Sequence, residues 1–383
     1  MKILCTSTPM EGVVGPLLPI AQALRERGHE VLLAVGPDVR ERVEEAGFAP
    51  VIVGPGAMEA VMRSFAEPGA AASPGTSPAF AAAMFGGVFA PDLLPALRTV
   101  VDEFTPDVIV HPPVEVASPI VAAERGIGNV TYGFGQVLDA AIVDAIAARV
   151  APIWTSAGLR ADPFAGIYGD CYLDPCPEGL RLGAAAPARL VQPIRPEIPG
   201  RTTDELPADI ARLGERPILY ITLGTVPLFN QLATFGMLFG AVAEMDIDVV
   251  ATIGANNDPA TLDALPANVH VHQWLALHPL LDLCDAVMCH GGSGTTLAAL
   301  SAGLPLVIVP QGADQFENAR ACEKAGAARV LEPDHVDSAA VSDAVGAVIA
   351  PTSAERRAAG ALAEEISAMP IAFDATAIIE TIG

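Results

Sequence analysis

The apolar residues of this chain fall into two rhythms. Short runs rich in Val, Ile and Leu alternate with longer stretches in which apolar and polar residues recur at helical spacing. Strands covered on both faces by helices carry continuous apolar runs rather than a period of two, so this alternation predicts parallel βαβ units. In the first half the pattern predicts strands over residues 2–7, 30–35, 50–53, 107–111 and 129–134. Helices are expected over 17–27, closed by Gly28, and over 39–46, closed by Gly47. In the second half strands are expected over 218–223, 248–252, 269–272, 286–289, 306–309 and 329–331.

Two stretches interrupt the alternation. Residues 55–78 are rich in Gly, Ala, Ser and Pro and read as a long mobile loop over the strand ends, of the kind that forms a substrate lid. Residues 187–217 mix prolines with charges and keep no apolar period, which marks a connector. The expected division is a first domain over 1–195, a linker over 196–215 and a second domain over 216–383, whose last helix packs back on the first. Residues 217–243 are free of charge and long enough to span a bilayer. Gly224, Pro227, Asn230, Gln231 and Gly236 break them into strand, loop and helix, so a buried core is expected instead.

Composition narrows the partners. The 383 residues include 21 Lys plus Arg against 45 Asp plus Glu, a formal charge of −24, and the only lysines are Lys2 and Lys324. Such a surface repels phosphate backbones and anionic lipid, so neither nucleic acid nor a membrane is an expected partner. Half the residues are apolar but only 5% are aromatic, which fits β-branched strands and alanine-rich helices. The six cysteines form no CxxC pair, and the first residues read as a strand instead of a secretory signal. Free thiols in a reducing cytoplasm are expected, even for Cys171 and Cys176 in a segment that reads as irregular. The expected assembly is a monomer or a homodimer.

The most informative segment is His290-Gly291-Gly292-Ser293-Gly294-Thr295-Thr296, between an apolar strand and an alanine-rich helix. Glycines there let the backbone turn with its N–H groups unshielded, and the following helix points its free amides and positive dipole end at whatever lies in front. A diphosphate fits that position, with hydroxyls from Ser293 and Thr295 and a reach from His290. One βα unit later comes Pro310-Gln311-Gly312-Ala313-Asp314-Gln315-Phe316-Glu317-Asn318. Asp314 and Gln315 side by side suit the adjacent hydroxyls of a hexose. The plainer alternative is that Asp314 only caps the helix that follows.

These two stretches resemble the nucleotide-diphosphate-sugar site of the glycosyltransferase family 1 enzymes, which include the bacterial antibiotic glycosyltransferases. The likeness extends to residues 1–35, with Pro16-Leu17-Leu18-Pro19 and Arg27-Gly28-His29-Glu30-Val31. The resemblance implies an α/β GT-B fold: two Rossmann-like parallel-sheet domains facing across a cleft, acceptor in the first and donor in the second. It implies that His290, Gly291, Gly292, Ser293, Gly294 and Thr295 hold the diphosphate and that Asp314 and Gln315 hold the sugar. Trp274 and Leu275 would flank the base, and Gly224 and Thr225 would lie near the phosphates. Val13, Met84 and Phe134 fall in segments expected to meet the aglycone. The nucleotide-sugar is then a co-substrate, dTDP- or UDP-linked, and neither metal nor cofactor is expected, since backbone amides and a helix terminus can neutralise the leaving diphosphate.

The chain departs from the family where the general base belongs. Val13 occupies the place of the usual histidine, and Pro112 that of the aspartate orienting it. Valine cannot accept a proton, so an inverting transfer to oxygen needs another base or an acidic acceptor. Glu11, Glu115 and His111 lie nearest in sequence. Glu115 and Glu11 rank first, because an apolar cleft would raise a carboxyl pKa toward neutrality. The plainer readings are a solvated loop residue for Glu11, a helix-start carboxylate for Glu115 and a strand-end histidine for His111. A non-catalytic sugar-nucleotide binder assisting a partner enzyme is the competing function. A dinucleotide oxidoreductase is disfavoured, since the first loop has only Gly12-Val13-Val14-Gly15 and Gly36 stands where a ribose-binding acid belongs.

Overall fold

The computed structural model describes residues 1–67, 77–197, 205–225, 229–262 and 265–383. The chain divides into two compact units, one of Met1–Cys176, Gly183–Pro199 and Met369–Gly383, the other of Pro177–Leu182 and Gly200–Ala368. Two short segments therefore group differently from the sequence boundaries: 177–182 with the second unit and 369–383 with the first.

The first unit is built on β1 (Lys2–Ser7), β2 (Glu30–Val35), β3 (Val51–Ile52), β4 (Val108–His111), β5 (Gly128–Tyr132), β6 (Cys171–Asp174) and β7 (Leu190–Pro193). They form one parallel sheet in the order β3-β2-β1-β4-β5-β6-β7. Side chains of β1 leave alternately to two cores: Leu4 joins the cluster with Ile109, Met84 and Phe89, while Ile3 and Cys5 join the cluster with Leu17, Val108 and Tyr132. Burial on both faces explains why β1 reads as an apolar run. The second core includes Ala372, Ala375 and Ile379. Arg27 ties this C-terminal segment down, bonding Glu380 at 2.9 Å and lying over the Phe373 ring.

The second unit contains β8 (Ile218–Thr222), β9 (Asp248–Thr252), β10 (Val269–His272), β11 (Ala286–Cys289), β12 (Leu306–Ile308) and β13 (Ala328–Val330). Their order, β10-β9-β8-β11-β12-β13, is again fully parallel. In its own numbering the second sheet runs 3-2-1-4-5-6, the doubly wound order of dinucleotide-binding folds, and the first runs the same way with a seventh strand added at the edge.

Three expectations need correction. The presumed loop over 55–78 contains the helix Ala57–Ser64 and the start of another at Pro78, while 68–76 lie outside the described residues. The presumed connector contains an edge strand, β7, whose Leu190 and Val191 are exposed and so leave no apolar period. The segment that read as irregular around Cys171 is strand β6, and all six cysteines are buried, with no disulfide among the described residues. Residues 217–243 do divide, into β8 and the helix Leu232–Val242. Among the described residues one helical run, Pro78–Phe104, is long and apolar enough to cross a membrane; 67% of its most apolar window is buried within the protein, as in a core helix.

Candidate active site

In a doubly wound sheet the crevice for ligands opens beyond the carboxyl ends of the strands where the order reverses. In the second unit that switch point lies between β8 and β11, and their ends carry Gly224 and His290. Gly224 has a φ of +83°, and a Cβ on it would lie 2.6 Å from His290 Nε2. A Cβ on Gly292 would also overlap Nε2. The imidazole is thus seated between two glycines that only glycine can replace. Gly291, at φ +86°, passes so close to the next loop that a Cβ would sit 2.8 Å from Ile308 Cγ2 and 3.0 Å from the Gln315 carbonyl.

Burial pushes the His290 pKa down to about 4, a shift that the negative charge of Asp314 only partly offsets. The ring is therefore neutral at physiological pH and offers hydrogen bonds instead of a full charge; among the described residues its Nδ1 has no hydrogen-bond partner. The helix Ser293–Ser301 begins immediately after Gly292, with no side chain capping its first amides. Gly294 is exposed and Thr295 half-buried, so this end is open to an anion.

The predicted sugar residues are arranged differently from one another. Asp314 stands at the N-cap position of the helix Gln315–Lys324, but its carboxylate accepts no bond from that helix's first backbone amides. Instead Oδ2 accepts from Ser293 Oγ at 2.6 Å and from Asn318 Nδ2 at 2.9 Å, while Oδ1 makes no hydrogen bond among the described residues. The Ser293 hydroxyl, expected at a phosphate, is directed at Asp314. Gln315 is buried, and its Oε1 accepts from the backbone amides of Gln311 at 2.7 Å and Gly312 at 3.1 Å, bracing the loop. Trp274, 56% exposed, and buried Leu275 follow β10.

Sequence reasoning missed the asparagines of this crevice. Asn318 bonds the Gly291 carbonyl at 2.9 Å, 27 positions earlier in the chain. Asn230 is buried and bonds the Ile253 carbonyl, and Gly254, at φ +83°, has room for no Cβ beside it. A glycine after each strand end was the available signal, since each marks a place where another backbone or ring comes close.

The corresponding switch point of the first unit lies between β1 and β4. Val13, Met84 and Phe134, predicted for the acceptor side, belong to one apolar cluster there. Met84 lies in a π-helical stretch, Ala82–Phe89, a departure from regular helix that recurs at functional sites. The three base candidates separate clearly. Glu115 is fully buried, with Oε1 accepting from the amides of Ala117 at 2.7 Å and Ser118 at 3.0 Å and Oε2 from the Thr6 hydroxyl at 2.7 Å. It holds the amides at the start of the helix Ser118–Arg125, with both oxygens occupied. His111 is equally buried, its Nδ1 2.9 Å from the Pro112 carbonyl and its Nε2 2.6 Å from Asn129 Oδ1; burial lowers its pKa. Glu11 opens the helix Glu11–Glu26 on the surface and makes no hydrogen bond among the described residues. Desolvation by its surroundings raises its pKa, opposed by Arg42 and reinforced by Glu45.

Two parallel doubly wound sheets, one with a glycine-lined crevice at its switch point, are the architecture of the GT-B glycosyltransferases. The family described as erythromycin biosynthesis protein CIII-like matches with its N-terminal domain over residues 22–192 and with its C-terminal domain over 236–382. The elloramycin glycosyltransferase ElmGT of Streptomyces olivaceus is 32% identical, over 100% of this chain and 97% of its own length. The crystal structure of the glycosyltransferase SnogD from Streptomyces nogalater superimposes with a TM-score of 0.77 at 28% identity, covering 100% of this chain and 99% of that one. The glycosyltransferase SsfS6 of Streptomyces sp. SF2575, complexed with thymidine diphosphate, gives a TM-score of 0.81 at 25% identity over 100% and 99% of the two chains. The chain belongs to the erythromycin biosynthesis protein CIII-like family of antibiotic glycosyltransferases.

Proposed function

We propose that this protein, acting in the cytoplasm, transfers a sugar from a thymidine- or uridine-diphosphate sugar to a small natural-product aglycone, inverting the anomeric centre without a metal. The observation that carries the reading is the cradle at the β8/β11 switch point: His290 seated between Gly224 and Gly292, in front of an uncapped helix terminus. Thymidine diphosphate in the similar SsfS6 supports the nucleotide class, and the name of ElmGT supports an antibiotic aglycone.

The acceptor nucleophile attacks the anomeric carbon from the face opposite the diphosphate. The carbon–oxygen bond to phosphate breaks, and its electron pair stays on the leaving phosphate oxygen. Backbone amides from Gly292 to Thr295, the helix dipole and the neutral His290 receive that charge. Asp314 Oδ1, whose sister oxygen is held by Ser293 and Asn318, accepts a sugar hydroxyl. Glu11 takes the acceptor's proton, being the one base candidate of the three whose carboxylate is not already consumed by hydrogen bonds. General-base help is worth roughly two to four decades in rate, so a phenolic or carbon nucleophile reduces the demand on Glu11.

One observation favours a second reading, a non-catalytic sugar-nucleotide binder. Val13 replaces the base, and Glu115 and His111 are locked in internal hydrogen bonds. Incubation with dTDP- and UDP-sugars and a panel of aromatic and polyketide acceptors, read by mass spectrometry with donor binding by calorimetry, decides between them. A glycosylated product establishes the transferase. Tight donor binding with neither transfer nor hydrolysis establishes the binder, and no donor binding at all sinks both.

A further inference from the structure

Asn318 touches no reacting group in the chemistry just described, yet it is 4% exposed and bonds both loops of the donor crevice. Its Nδ2 lies 2.9 Å from the Gly291 carbonyl, 3.0 Å from Ser293 Oγ and 2.9 Å from Asp314 Oδ2. Two amide hydrogens are thus shared among three acceptors, one on the diphosphate loop's backbone, one on its first hydroxyl and one on the sugar-side carboxylate. We propose that Asn318 is a positioning residue that fixes the diphosphate loop and the Asp314 carboxylate as a single unit. The inference rests on the reading of this crevice as the sugar-nucleotide site.

The geometry explains how one amide can do this. In a trans peptide the C=O and the following N–H point in opposite directions, so drawing the Gly291 carbonyl toward Asn318 turns the Gly292 amide away from it. Gly291 tolerates this only because φ is +86° and no Cβ is present. At the same time Asn318 and Ser293 both bond Oδ2 of Asp314, which fixes the rotation of that carboxylate and presents Oδ1. No other described side chain bonds both Gly291 and Asp314. An asparagine kept only to stabilise the fold would register its loss in stability and leave binding by the folded protein at its wild-type affinity.

The test is Asn318→Asp, which keeps size and shape but exchanges the donor for an oxygen beside the Asp314 carboxylate. Two carboxylates that close bind a shared proton well above the usual carboxylate range, and the protonated pair regains one O–H donor. His290, the titratable neighbour that feels the Asp314 charge, stays neutral across the range because burial holds it at about 4. Calorimetry with thymidine diphosphate and with a thymidine-diphosphate sugar should show both weakened about tenfold or more at about pH 8, with recovery toward about pH 5.5. Wild-type binding of the thymidine-diphosphate sugar should be flat over that interval. Thymidine diphosphate is compared variant against wild type at each pH, because its terminal phosphate titrates within the interval. Asn318→Ala should be weakened at both pH values without recovery. Wild-type affinity in Asn318→Asp at the higher pH, or an equal loss at both, overturns the proposal. If the Asp variant does not fold, Asn318→Ala decides: a pH-independent loss upholds the role and wild-type affinity overturns it. Failure of the wild-type protein to bind either ligand refutes the site reading instead.

Discussion

The carboxyl ends of β1 and β4 in the first unit and of β8 and β11 in the second are topologically the same place, and the chain has furnished them with opposite chemistry. Beyond β8 and β11 lie Gly224, His290, Gly291 and Gly292, with open amides and an uncapped helix end. Beyond β1 and β4 lie Pro9, Met10, Pro112, Pro113 and Val114, with Val13 in the first turn of the next helix. Proline offers no N–H, and the one helix terminus after β4 is already occupied by Glu115. The helix Glu11–Glu26 after β1 also starts without a side-chain cap, but it opens with the Glu11 carboxylate and is flanked by prolines and apolar side chains, so this crevice favours an apolar ring over a phosphate. Shared topology fixes where a ligand binds; the residues at the strand ends fix what it is.

The comparison is most easily broken at Gly292. If the second crevice works because backbone and imidazole crowd together, Gly292→Ala drives a methyl into His290 and should lower kcat/KM by about a hundredfold or more, with thymidine-diphosphate binding lost in parallel. Gly346→Ala is the control, because nothing lies within 4 Å of its added carbon and it sits in the helix Ser338–Ile349 outside the crevice. Similar losses in both variants would show that the crowding is incidental.

In the first crevice the largest effect is expected at Glu11. Glu11→Gln should lower kcat for alcohol acceptors by roughly a hundredfold and much less for phenols, with KM for the donor unchanged. The ionised carboxylate is the active form, and desolvation raises its pKa, so the wild-type rate should fall as pH drops through that raised value. The variant should lose this acid limb. A profile that keeps the limb after the substitution removes Glu11 from the mechanism.

Glu115 should behave as structure, not chemistry. Glu115→Gln keeps an acceptor for the Ala117 and Ser118 amides but turns an NH2 toward the Thr6 hydroxyl, at a cost of about 1–3 kcal/mol. Thermal melting should register the loss, while the pH profile of kcat stays where it was. A shifted profile would return Glu115 to the list of bases.

These residues also mark what a linear reading can see. The uninterrupted apolar runs showed nearly every strand, because strands buried on both faces leave that trace, and the glycines and histidine of the diphosphate loop showed a turn between strand and helix. Strand β7 left no trace, since its apolar side chains face solvent, and β6, though buried, was hidden because its four residues end in Asp174 and lie between Gly169-Asp170 and Pro175. The helix Ala57–Ser64 was invisible for a related reason: it buries only Ala60 and Ser64 and exposes Met58 and Met62. The roles of Glu115 and Asn318 depend on partners far along the chain, Thr6 109 positions away and Gly291 27 positions away. Pattern cannot show such pairs, because only the packed sheet brings them together.

The smallest expected effect is at Val13. Val13→His places an imidazole where an apolar cluster now closes around the valine, which is 6% exposed. Burying a polar ring there costs stability, and Pro112 offers no carboxylate to orient it. The gain in kcat/KM toward weakly acidic alcohols should therefore be only a few-fold, well short of the two to four decades of a positioned base. Toward phenols, whose proton leaves with little help, the rate should not rise. The variant carrying Pro112→Asp in addition should exceed either change alone, because the carboxylate sets the imidazole's tautomer and steadies its charge. Equal gains for alcohols and phenols would mean that the imidazole acts by reshaping the apolar cluster, and that this crevice selects its acceptor by fit and not by proton transfer.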